Sequence, residues 1–387
     1  MKIRDVRARW IQCPIPEAQQ HVSDFGRITS FDAAIVSVEV DGGVVGWGEA
    51  KAGVGSSGPC RAVVEAVNDD YAPALVGQDA RRITAIWDTM YNGTRAGYAL
   101  ERGRGFPVLG RRGVTMSAMS GVDMALWDLL GKSLGVPVVD LWGGPRTDTM
   151  PAYASGGWAD ADGIGAQLNG YVEHGFRAVK MRVGIMDGDV ATSVARVRAA
   201  RAAIGPEIGL MADAHGTYNA TDAMRFLVGV EDVNLRWFEE PVNADDLAAA
   251  RRVRASTRTP IAAGESEATR FDFRELIAHQ AADVLQPDLA ICGGPTEGRR
   301  IAALAETYQL ELAPHCWGSA LSFNAGVSLA FSSSAARTIE YSLGGNPLLR
   351  DMPIDPPTVD DGVVHAPTAP GFGIEPRPEF LTEYEVT

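Results

Sequence analysis

From residue 150 onward a short apolar run recurs eight times, each followed by a stretch with helical spacing: MPAYAS, FRAVKMRV, IGLMAD, LRWFEE, TPIAAGE, ADVLQPD, LELAPH and ARTIEY. Strand and helix alternating eight times predict an α/β architecture, a parallel sheet closed into a (β/α)8 barrel with its site at the C-terminal strand ends. Seven of these runs close on a polar residue: Lys180, Asp213, Glu239, Glu265, Asp288, His315 and Glu340, at spacings of 33, 26, 26, 23, 27 and 25. Each step is about one βα unit, so the seven side chains converge on one mouth of the barrel. Scattered surface charges would not keep this rhythm.

The preceding region reads differently. AAIVSVEV (33–40) and VVGWGEA (44–50) flank Asp41-Gly42-Gly43, the pattern of a β-hairpin. Further on, Val122, Ala125, Leu126 and Leu129 fall at helical spacing, and Gly135 with Pro137 marks the stop. Residues 1–130 are therefore expected to form an α+β unit and residues 131–354 the barrel. The segment 355–387, rich in Pro and Gly, is expected to return across the barrel to the first unit.

Composition excludes several classes of function. The 387 residues are 46% hydrophobic and 22% charged, with no apolar run near the ~20 residues of a membrane helix. The opening MKIRDVRARW lacks the apolar stretch of a secretion signal, so a cytoplasmic location is expected. Cys13, Cys60, Cys292 and Cys316 lie far apart with no CxxC pair, which predicts reduced thiols. Formal charge is 35 − 49 = −14, which disfavours nucleic acid as a partner and requires local positive charge for any anionic substrate.

Asp213, Glu239 and Glu265 come from three successive strands. Three carboxylates in one place repel one another unless a cation lies between them. All-oxygen ligation suits Mg²⁺ better than Zn²⁺, which prefers nitrogen and sulfur. In Glu239-Glu240-Pro241 only one glutamate can face the barrel axis; Glu239 is expected there, with Glu240 making a structural bond in the loop. Lys180 and Arg182, two apart, share the inward face and can bind a substrate carboxylate or stabilise an enolate-like charge. His315 and Asp288 occupy neighbouring strands, where a carboxylate on one ring nitrogen raises the basicity of the other. His215, two residues after Asp213, is a second candidate for proton transfer or for binding a substrate hydroxyl, and Glu340, if protonated or shared in a hydrogen bond, can donate toward the substrate carboxylate.

Together, Lys180-Met181-Arg182, Asp213, Glu239-Glu240-Pro241, Gly264-Glu265, Gln286-Pro287-Asp288, His315 and Ile339-Glu340-Tyr341 resemble the mandelate racemase branch of the enolase superfamily. The likeness extends to Gly46-Trp47-Gly48-Glu49, to the segment 121–128 (GVDMALWD) and to Gly371-Phe372-Gly373-Ile374. The resemblance implies a modified barrel under a capping domain built from the N-terminal region and the C-terminal tail. It also implies Mg²⁺ on Asp213, Glu239 and Glu265, a base in His315 with Asp288, enolate assistance from Glu340, and a homo-oligomer. Substrate selection would lie in capping loops near 15–30 and 50–60, where His21, Ser23 and Arg27 are candidates for sugar hydroxyls.

Two departures from the branch narrow the chemistry. Arg182 stands where many members have a second lysine as base, and an arginine is effectively always protonated. His215 stands where many have asparagine, and some sugar-acid dehydratases of the branch place an acidic histidine there. The expected reaction is β-elimination of water from an aldonic or aldaric acid to a 2-keto-3-deoxy acid. Racemisation or epimerisation, lactone cycloisomerisation, and a non-catalytic sugar-acid-binding protein are the competing readings.

Overall fold

The protein is described here from a computed structural model covering residues 1–24, 26–56, 58–93, 101–103 and 111–387. The first unit holds a three-stranded antiparallel sheet of β1 (Ile3–Pro14), β4 (Ser30–Val40) and β5 (Val45–Ala50), with a small hairpin of β2 (His21–Ser23) and β3 (Gly26–Ile28) between β1 and β4. The hairpin expected around Asp41 is β4–β5. β1, a strand not expected from its sequence, pairs with β4 almost along its whole length.

The helix Val114–Leu134 packs on this sheet and ends at Gly135, which takes the left-handed conformation (φ 71°) that halts a helix. Contact between helix and strand is close enough to dictate glycine. A Cβ on Gly48 would lie 2.1 Å from the Gly121 carbonyl oxygen, and one on Gly46 2.1 Å from that of Ala125. This explains the Gly-Trp-Gly spacing. Asp128, buried on the same helix, accepts from Trp47 N at 2.9 Å and from Phe372 N at 2.8 Å, tying the tail to the cap.

The barrel strands are β6 (Thr149–Ser155), β7 (Ala178–Arg182), β8 (Gly209–Asp213), β9 (Trp237–Glu239), β10 (Ile261–Ala263), β11 (Val284–Leu285), β12 (Glu311–Leu312) and β13 (Ile339–Ser342), neighbours in chain order and all parallel. β13 returns to pair with β6, and a bridge from Leu312 to Ala336 draws the remaining seam together. Strand alternation sorts the side chains. Val179, Met181, Leu210, Ala212 and Phe238 join the main core with residues of the surrounding helices, while Tyr153, Met211, Trp237, Ala262, Val284 and Ala313 form a separate apolar cluster. Lys180, Arg182, Asp213 and Glu239 follow the inward register of that second set. Helix starts are fixed locally: Asp189, Asn219, Asp246 and Ser319 each accept a backbone N–H of the first turn.

The C-terminal tail touches both units. Its strand β14 (Val363–His365) pairs antiparallel with β6, the helix Pro378–Tyr384 lies on β1, and Val386 N donates to Trp10 O at 2.8 Å. Among the described residues, no helix is long and apolar enough to cross a membrane, and all four cysteines are free and buried.

Candidate active site

The C-terminal strand ends bring the expected carboxylates together. Asp213 and Glu239 terminate β8 and β9, Glu265 follows β10, and one ligand atom from each lies within 4.8 Å of the others, all three residues buried. Lys180 Nζ is bonded to Glu239 and lies 3.4 Å from Asp213 Oδ2 and 3.0 Å from Glu340 Oε1. Arg182 pairs with Asp213 and stacks over Trp317, its guanidinium carbon 5.2 Å from the ring centre. Four carboxylates against two cations leave a charge of −2 among wholly oxygen donors. That donor set and charge fit one hard divalent cation. Burial pushes the Glu239 carboxyl upward, but Lys180 and Arg182 together outweigh it and hold the group below its ordinary value. Glu340 is also held low, since Lys180, His315 and Arg182 overcome its burial.

His315 Nδ1 lies 2.7 Å from Asp288 Oδ2, so the carboxylate fixes the ring and turns Nε2 toward Glu265 Oε2 at 3.5 Å. Burial lowers the His315 pKa, but Glu265, Glu340 and Asp288 together raise it above the ordinary value. His215 makes a second pair of the same kind. Its Nδ1 is 2.8 Å from Asp24 Oδ2, and its Nε2 is 3.6 Å from Asp213 Oδ2. Here burial and then Arg182 prevail, and the pKa is lowered.

A pocket opens between cap and barrel, lined by His315, His215, Arg182 and Glu265 from the barrel and by His21 and Ser23 from the cap. His21 stacks on Trp158 at 4.0 Å between ring centres, and Trp158 meets Trp317 edge-on at 5.7 Å. Both capping segments named from the sequence reach this pocket, through His21, Ser23 and Ile28 in one and Gly55 in the other. Arg27 does not. It is exposed on β3, where alternation sends Ile28 inward in its place. A second expectation also needs correction. The Glu240 side chain makes no structural bond through Oε1, which is buried without a partner; the residue is fixed through its backbone, with φ 38° and its N–H on Ala262 O at 2.9 Å. Burial, then Glu265 and Glu267, push its carboxyl well above the ordinary range.

Two residues of the site escaped the sequence reading. Lys51, just past β5, is wholly buried, ion-paired with Asp288, and donates to Trp317 O at 2.9 Å. Asp24 is the partner of His215 described above. Neither lies at a strand end of the barrel, and both act across the chain, 237 and 191 residues from their partners. Glu49 anchors the same edge of the cap. Its carboxylate accepts from Ser319 N and Oγ, at the start of the helix Ala320–Ser332.

A barrel with three strand-end carboxylates, an Asp–His pair and a cap over the mouth defines an enzyme of the enolase superfamily. Family comparisons agree: residues 8–143 match the mandelate racemase/muconate lactonizing enzyme N-terminal domain, and residues 163–380 match the enolase C-terminal domain-like family. The chain belongs to the mandelate racemase/muconate lactonizing enzyme family. It is 38% identical to a D-galactonate dehydratase of Ralstonia pickettii, over 88% of this chain and 87% of the relative. It is 34% identical to a D-galactarolactone cycloisomerase of Agrobacterium fabrum, over 91% of each. Among solved structures it resembles a racemase from Streptomyces coelicolor with bound magnesium, with TM-score 0.85, 30% identity, and coverage of 99% of this chain and 100% of that one.

Proposed function

We propose that this chain carries out Mg²⁺-dependent removal of the proton next to a carboxylate and eliminates water from an aldonic or aldaric sugar acid, giving a 2-keto-3-deoxy acid. The observation that carries this reading is the pair of histidines, His315 and His215, which line one pocket while each Nδ1 is bound to a carboxylate. Asp213, Glu239 and Glu265 would hold the ion. When bound, Mg²⁺ supplies Lewis-acid stabilisation of charge on the substrate carboxylate. In this reading residues 1–130 with 355–387 form the cap and 131–354 the catalytic barrel.

His315 Nε2 takes the C2 proton, with Asp288 holding the ring in the required tautomer. Lys180 and Arg182 face the negative charge that develops on the substrate, and their fixed ion pairs mean that little must reorganise during the step. His215 gives its proton to the C3 hydroxyl as that group leaves. Arg182 occupies the place of a second base without basic capacity, and Lys180 is clamped by three carboxylates. Both features favour elimination over racemisation.

The test is incubation with Mg²⁺ and D-galactonate, then a wider set of four- to six-carbon sugar acids, followed by detection of 2-keto acid. His315→Asn is expected to lower the rate about a thousandfold, and chelation of the metal to abolish it. The cycloisomerase relative supports a second reading, ring opening of a sugar-acid lactone with α-proton removal as its first step. D-Galactarolactone as substrate separates the two, because dehydration removes one water from the mass and isomerisation leaves it unchanged.

A further inference from the structure

Asp24 sits in the turn between β2 and β3, at the tip of the capping hairpin, and its side chain has no exposed surface. Each carboxylate oxygen has its own partner. Oδ1 accepts from Met186 N at 2.9 Å, in the short turn Ile185–Asp187 that follows β7. Oδ2 lies 2.8 Å from His215 Nδ1. The backbone of the histidine is held as well: His215 has φ 45°, and its N–H donates to Asp213 Oδ1 at 3.0 Å.

We propose that Asp24 is a positioning residue for His215, supplied by the cap, and that it makes the proton-donating arm of the site dependent on a docked hairpin. The inference rests on the elimination reading given above. An ionised carboxylate only accepts hydrogen bonds, so Nδ1 must carry hydrogen and Nε2 is the nitrogen presented to the pocket. Without Asp24 the ring can adopt the other tautomer or turn about χ1, and Nε2 no longer points at a leaving group.

The site then contains two Asp–His pairs of different origin. Asp288–His315 joins two barrel residues, with Lys51 at the end of β5 ion-paired to Asp288. Asp24–His215 joins a barrel histidine to a cap carboxylate, and the same hairpin contributes His21, Ser23 and Ile28 to the pocket wall. Proton abstraction and departure of the hydroxyl therefore have different structural requirements. In the full reaction the C2–H bond breaks with its proton going to His315, the electron pair forms the C2–C3 double bond, and the C3–O bond breaks as the doubly protonated His215 ring gives the oxygen its Nε2 proton, leaving the neutral ring with its hydrogen on Nδ1 toward Asp24. Water leaves, the enol tautomerises to the ketone, and no oxidant or reductant is consumed. When Asp24 is missing, the first half can run forward and back while the second half stalls.

The experiment uses the full chain with Mg²⁺ in D2O and D-galactonate as the probe, following deuterium at C2 of recovered substrate and 2-keto acid formation separately. Asp24→Ala is expected to lose at least thirtyfold in kcat for keto acid, with KM within threefold and C2 exchange retained. Asp24→Asn, whose amide oxygen still accepts from Nδ1–H, is expected to recover most of that loss. Dehydration by Asp24→Ala at the wild-type rate overturns the proposal, as does a parallel loss of exchange and dehydration in a variant that melts like the wild type. A second readout needs no substrate: nitrogen NMR of histidine-labelled protein, with His215→Gln to assign the signal. At a pH where the ring is neutral, His215 is expected as the Nδ1–H tautomer in wild type and as a different or mixed tautomer in Asp24→Ala; a neutral ring with its hydrogen on Nε2 in wild type overturns the proposal. Should the wild type neither exchange nor dehydrate the probe while the tautomer behaves as expected, it is the elimination reading that fails, and the positioning role stands.

Discussion

A lysine with no exposed surface is held in place only by the charges and dipoles around it. Lys51 has Asp288 and the Trp317 carbonyl, and Asp288 in turn has His315. Burial raises the Asp288 carboxyl, but Lys51 and His315 overcome that and keep it below its ordinary value. Lys51→Met removes one member of a buried pair and is expected to cost about 3 kcal/mol, the lower end for such changes. Adding Asp288→Asn to that variant should return part of the loss in chemical denaturation; a double variant weaker than the sum of the two singles would refute this account. Nothing local in the sequence marks Lys51 or Asp24, because each acquires its meaning only when cap meets barrel. Asp213, Glu239, Glu265, Asp288 and His315 were legible because the βα repeat itself places them side by side. Arg27 was misread for the same reason that Asp24 was missed: a short hairpin's facing is not written in its composition.

Asp123 offers a residue-scale test independent of the site. It is wholly buried on the helix Val114–Leu134, and burial pushes its pKa up to about 7 despite bonds from Thr296 N and Oγ1. The folded state then retains a proton that the unfolded chain releases near pH 4, so the stability linked to that proton is full below pH 4 and is lost as pH rises to 7. The slope approaches 1.4 kcal/mol per pH unit inside this window. Asp123→Asn does not titrate. Its stability relative to wild type should rise between pH 4 and pH 7 and level off above, as read from denaturation midpoints; a constant difference across that range would count against a protonated Asp123.

At the scale of elements, the cap is held by a close approach and by one carboxylate. Gly48→Ala would drive a methyl into the Gly121 carbonyl, and the strand or the helix must shift. Overpacking of this kind costs about 1–3 kcal/mol. Asp128 satisfies backbone N–H groups of both Trp47 and Phe372. Asp128→Ala leaves those donors buried without acceptors, so the expected result is faster proteolysis within 355–387 and a lower melting temperature. Equal cleavage rates in variant and wild type would show that the tail is held elsewhere. The eight barrel strands were readable from apolar runs and polar ends, and the β4–β5 hairpin from its Asp-Gly-Gly turn. β1 was not read as a strand, since four of its 12 residues are charged. Its pairing comes from β4, and its outer edge is met by Glu385 from the tail.

For the molecule as a whole, the charge of −2 left at the strand ends predicts linkage between metal and stability. A ligand at one hundred times its dissociation constant stabilises the fold by about 2.7 kcal/mol. Added Mg²⁺ should raise the melting temperature of the wild type, and Glu265→Gln should weaken that rise; a melting temperature insensitive to Mg²⁺ would argue against an ion at this triad. The pocket between cap and barrel has one more property. Trp158 and Trp317 stand at its wall, with Trp317 beneath the Arg182 guanidinium. Indole emission responds to nearby charge and to departing water, so the protein carries its own optical gauge of occupancy. A candidate acid can be ranked by fluorescence titration before any product is sought, and a molecule that binds without reacting would be visible on the same scale as a substrate.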